Sequence, residues 1–108
     1  MTTWEYNISM RVISKKTLKD FYDQELYKDS KSSLESWHKE AINADWENPV
    51  QIKEQYRHAS ILKNNRVVFN IHGNKYRLVV KINYPAKVVY VRFVGTHEQY
   101  DAINVEEI

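Results

Sequence analysis

A chain of 108 residues, 28% charged and 13% aromatic, can bury one core without disulfides or a structural metal, and it has no cysteine for thiolate chemistry. One domain over residues 1–108 is expected. With no membrane-length apolar stretch and no basic-then-apolar leader, so is a cytoplasmic location. The net charge of +2 says little alone, but Lys53 to Arg92 holds nine basic residues against the single acid Glu54, an asymmetry that points toward nucleic acid.

Met10 to Ser14 reads as a short strand. A helix is expected from Lys16 to about Leu26, with Leu18, Phe21, Tyr22 and Leu26 near helical spacing. Asp29, Ser30, Ser32 and Ser33 form a polar break and offer N-caps to a second helix, about Leu34 to Ala44. That helix would bury Leu34, Trp37 and Ala41, with Ile42 at the margin. Asn48-Pro49 is expected to stop it. Residues 50–60 read as either a helical turn or a loop. Asn64-Asn65 marks a turn, so Ala59 to Lys63 would form a short strand before the main sheet. The resulting β-α-α-β-β-β order predicts an α+β domain, with an antiparallel sheet of about four strands. Two N-terminal helices would cover one sheet face, and a short helix would follow at the C-terminus.

The stretch from Arg66 to Asp101 carries the chemistry. Gly73-Asn74 lies between two alternating runs and signals a tight hairpin. That turn pairs Asn70 with Arg77, Val68 with Val79 and Arg66 with Lys81. A second turn at Pro85-Ala86 then sets Tyr90 beside Lys81, Arg92 beside Val79 and Val94 beside Arg77. One face thereby collects Val67, Phe69, Ile71, Leu78, Val80, Ile82, Val89, Val91 and Phe93. The other collects Arg66, Asn70, His72, Lys75, Arg77, Lys81, Tyr90 and Arg92. A one-residue slip would scramble both faces, so the segregation supports the register. A solvated face needs polarity but not cations alone, and this one suits phosphate.

Thr96 and Gln99 fit a helix capping box and need no other role. His97 then opens the last helix beside Lys75 and His72. Nearby cations would disfavour imidazolium there and leave a general base. Arg77 is the first candidate for catalysis, because a guanidinium can hold phosphate bidentately and no acid shares its face. Tyr100 would stack on a base, donate a proton, or pack the helix on the sheet. Asp101 would orient His97 or a cation. His38, His58, Trp37 and Trp46 read as structural. No histidine–carboxylate spacing suggests a metal site, and no glycine-rich phosphate loop exists, so neither metal nor cofactor is expected.

Phe69, Asn70, Gly73, Asn74 and Arg77, followed by Thr96, His97, Tyr100 and Asp101, form the pattern FNxxGNxxR…THxxYD. It resembles the HigB branch of the RelE-like toxins of bacterial type II toxin–antitoxin systems. The likeness runs from about Met10 to Asp101, and members commonly begin near Met10, so residues 1–9, with Trp4 and Tyr6, look like an extension. The resemblance implies a RelE-like small ribonuclease fold and an mRNA endonuclease acting on ribosome-held messages, blocked by a HigA-type antitoxin. Arg77, His97, Lys75 and Tyr100 would form the catalytic set. Arg66, Asn70, His72, Lys81 and Arg92 would bind RNA. The alternatives are a non-catalytic RNA-binding domain on the same basic face, or a module whose basic face meets an acidic partner.

Overall fold

A computed structural model describes residues 9–108; the proposed extension falls almost wholly on residues outside that range. The chain runs β1 (Arg11–Ile13), α1 (Lys15–Tyr22), a 3-10 helix (Glu25–Ser30), α2 (Lys31–Ile42) and α3 (Pro49–Gln55). It continues through β2 (Ser60–Ile61), β3 (Arg66–Ile71), β4 (Tyr76–Asn83), β5 (Val88–Thr96) and α4 (His97–Asp101). The strands form one sheet in the order β1-β5-β4-β3-β2. The fold is α+β as expected, but the sheet has five strands and is mixed, because β1 lies parallel to β5. Strand spacing carries no signal for that distant pairing.

The helical half departs from expectation in phase. Gln24 takes an extended conformation (φ −72°, ψ 133°), so helical phase resets after Tyr22. Leu26 therefore points to solvent at 77% exposure, and Tyr27 stacks on Phe21 at 4.4 Å instead. The serines do not cap α2; Ser30 is buried and donates to the Tyr27 carbonyl. α2 buries Leu34, Trp37 and Ala41 as the period of 3.6 requires, while Ile42 is exposed. Asn48-Pro49 opens a helix rather than closing one. Asn48 accepts from the Gln51 N–H, and proline at the first helical position has no N–H to lose.

One sheet face packs against the helices around Phe69, whose ring lies 5.0 Å from Tyr56, 5.4 Å from Trp37 and 6.1 Å from Trp46. Burying a phenylalanine side chain contributes roughly 1.5–3 kcal/mol. The first hairpin has the expected register, from Arg66↔Lys81 to Ile71↔Tyr76. Gly73 takes φ +66°, as a glycine-first hairpin turn needs, and His72 before it takes φ +55°. The second hairpin keeps Lys81↔Tyr90 and Val80↔Val91, then shifts. A bulge at Arg92 sets Phe93 beside Val79, Val94 beside Leu78 and Gly95 beside Arg77. Phe93 thus leaves the helix-covered face, and Val94 takes its place against the core.

The opposite face is not open. Val68, Val79 and Gly95 are buried on it, and α4 packs back against β4 and β5. The chain after α4 is tied down as well, with Asn64 donating to the Glu106 carbonyl at 3.4 Å and Arg66 to the carbonyl of Ile108.

Candidate active site

Arg77 sits at the end of the sheet nearest the first turn, between Asn70 on β3 and Gly95 on β5. Gly95 is buried, and the space beside it is filled by Gln99 and Phe93. Arg77 Nη1 donates to the carbonyls of Asn74 (3.1 Å) and Tyr76 (3.4 Å). Among the described residues no carboxylate pairs with it.

Thr96 pairs with Tyr76, the strand neighbour of Arg77, and α4 starts at the next residue. The capping box is formed in both directions: Thr96 accepts from the Gln99 N–H, and Gln99 Oε1 accepts from the Thr96 N–H. Gln99 also donates to the Tyr27 hydroxyl at 3.3 Å, tying α4 to the 3-10 helix. His97, Tyr100 and Asp101 stand at i, i+3 and i+4, one side of a helix. His97 Nδ1 lies 3.4 Å from Asp101 Oδ2, which orients the exposed ring. Tyr100 is half-buried.

Lys75 departs from expectation. It does not stand as a free cation beside Arg77 and His97; its ammonium lies 2.5 Å from the carboxylate of Asp29 on the 3-10 helix. Asp29 also accepts from the buried Tyr76 hydroxyl at 2.5 Å, and His72 Nε2 lies 3.8 Å away. The Lys75 contact, and after it the Tyr76 hydroxyl, holds the Asp29 carboxyl below its ordinary range. Asp29 in turn raises Lys75, while burial first and Asp29 second raise Tyr76. Lys75 and His72, expected around His97, thus lie against Asp29, and the His97 ring meets Asp101. Sequence spacing suggested Asp29 only as a helix cap, since its partners lie more than forty residues away.

Arg66 also departs from expectation. It is 7% exposed and donates to the carbonyls of Asn64 (2.8 Å) and Ile108, so it is structural rather than a phosphate ligand. Asn70, His72, Lys81 and Arg92 are exposed as anticipated. A groove of about 730 Å³ opens beside Asn70 and His72, lined also by Ser36, Trp37, Tyr56 and Arg57. Burial first, then a hydrogen bond to Glu40, raises the Tyr56 hydroxyl above its ordinary value.

The family profile described as "HigB_toxin, RelE-like toxic component of a toxin-antitoxin system" matches residues 30–103. This chain belongs to that family. It is 29% identical over 94 residues to the mRNA interferase toxin HigB of Escherichia coli strain K12, covering 85% of this chain and 88% of the relative. The mRNA interferases HigB of Escherichia coli O157:H7 and Shigella flexneri match to the same extent. As a member of that family, the chain is the RelE-like toxic component of a toxin-antitoxin system. No described helix is long and apolar enough to cross a membrane.

Proposed function

We propose that this HigB-family toxin is an mRNA interferase, an endoribonuclease that cuts messages held by the ribosome in the cytoplasm and is silenced by a HigA-type antitoxin. The observation that carries this reading is Arg77, a guanidinium aimed by two backbone carbonyls, paired with no described carboxylate, one strand from the start of α4. RNA scission needs a proton taken from the 2′-hydroxyl, a stabilised phosphorane, and a proton given to the departing 5′-oxygen. The 2′-oxygen–phosphorus bond forms as the bond from phosphorus to the 5′-oxygen breaks. Arg77 holds the phosphorane oxygens, the kind of fixed charge that supplies a large share of such catalysis. His97, oriented by Asp101, transfers one of the two protons, and Tyr100 on the same side of α4 handles the other. Asn70 and His72 receive the chain next to the scissile phosphate, and Lys81 and Arg92 hold flanking phosphates.

The test is His97→Gln in a purified translation reaction, with cleavage followed by primer extension on the message. Loss of cleavage by at least ~100-fold, with ribosome and antitoxin binding retained, is the expected result for a lost acid–base group. Equal cleavage by His97→Gln and wild type would move the proton transfer elsewhere. A wild-type protein that binds but never cuts would favour the non-catalytic RNA-binding reading.

A further inference from the structure

We propose that Asp29 is a positioning residue for Arg77: it pins the β3–β4 turn whose carbonyls aim the guanidinium, a role that rests on Arg77 holding the phosphorane. The contacts form a chain. Asp29 uses both carboxylate oxygens on consecutive residues, Oδ2 on the Lys75 ammonium and Oδ1 on the Tyr76 hydroxyl. The Tyr76 end is firmly seated, since its ring is 1% exposed and meets Phe21 edge-on at 5.4 Å and Tyr27 at 6.0 Å. The residues flanking Lys75 are Asn74 and Tyr76, and theirs are the two carbonyls that accept from Arg77 Nη1.

The turn needs such a tie. His72 and Gly73 both take positive φ, a conformation unfavourable for a side chain such as that of His72. His72 and Lys75 are both exposed; the His72 ring lies 6.4 Å and the Lys75 ammonium 5.5 Å from the Tyr76 ring, and Asp29 ties Lys75 and Tyr76 together. With Lys75 paired to Asp29, Arg77 stands at this end of the sheet without a carboxylate partner among the described residues.

Two measurements on the full chain test this. In NMR, the Arg77 Nε–Hε group should be ordered in wild type and mobile in Asp29→Asn; unchanged order would overturn the proposal whether or not the protein cleaves RNA. In the cleavage assay, Asp29→Asn should lower kcat about 10- to 100-fold with little change in KM, the scale of a misplaced catalytic group. Asp29→Glu should recover part of the loss. In an Arg77→Ala background, Asp29→Asn should add no further loss, because it acts through the missing guanidinium. Losses that multiply, or Asp29→Asn cleaving as wild type, would overturn the proposal. Asp45→Asn, which removes the Lys87 ion pair elsewhere, should leave cleavage unchanged. If Asp29→Asn fails to fold, Tyr76→Phe removes one of the two contacts and replaces it in the same cycle. A wild type with an ordered Arg77, released in Asp29→Asn but inert toward RNA, would sink the nuclease reading and leave the positioning role standing.

Discussion

Replacing Arg66 with methionine separates two roles for one residue. The segregation of strand faces suggests a phosphate ligand, whereas the fold places the guanidinium at 7% exposure between two carbonyls. Arg66→Met keeps most of the packed stem and removes the donors to Asn64 and Ile108. Hydrogen bonds to charged groups contribute roughly 1.5–3 kcal/mol each, and losing the donors leaves the two carbonyls without them. Some of that is offset, because Arg66 Nε is itself buried without a partner and disappears with the substitution. A net loss of about 2 kcal/mol is expected, which for a domain of this size lowers Tm by roughly 8–16 °C. Thermal unfolding measures the loss, and RNA binding at several salt concentrations supplies the second readout. The salt slope should match wild type, because no phosphate contact has been removed. An unchanged Tm with a shallower salt slope would refute this account of Arg66 and return it to the RNA face.

Reversing Lys81 and Arg92 together to Glu should do the opposite, weakening RNA binding and flattening its salt dependence while Tm moves little, since both are exposed; unfolding with intact binding would contradict the face assignment. Gly95→Ala should destabilise the α4 junction by about 1–3 kcal/mol, as overpacking does, because the new Cβ would sit 2.6 Å from Gln99 Oε1 and 2.6 Å from Phe93 Cζ. Amide exchange across α4 and a thermal melt would reveal it, and wild-type behaviour in both would contradict the packing described.

The first hairpin is legible in the sequence because side chains alternate with period two and a glycine-led turn sets the register; every predicted pair from Arg66↔Lys81 to Ile71↔Tyr76 is present. The second is legible only as far as Val80↔Val91, because a bulge adds one residue without any compositional mark in Val-Arg-Phe-Val. The core residues of α1 and α2 follow from helical spacing, yet the phase break at Gln24 does not, since no proline or glycine announces it. Asn48-Pro49 illustrates a different ambiguity, because the same dipeptide can end one helix or begin the next. Arg77 lies opposite Gly95, two residues before His97, and His97 meets Asp101, because a strand end and a capped helix start are local features that spacing does describe. The partners of Asp29 and the Ile108 carbonyl that receives Arg66 are not legible because those contacts join residues more than forty apart, across folded layers that local pattern does not describe.

The most direct test of the account is transcriptome-wide mapping of RNA 5′ ends after induced expression of wild type, Arg77→Ala and Arg77→Lys. Wild type should arrest growth and generate new ends inside coding sequences. Arg77→Ala should be folded, equally abundant and silent, and Arg77→Lys should restore part of the cleavage, because a point charge cannot make the bidentate contact. New ends at the same sites and abundance with Arg77→Ala, or none with wild type, would contradict it.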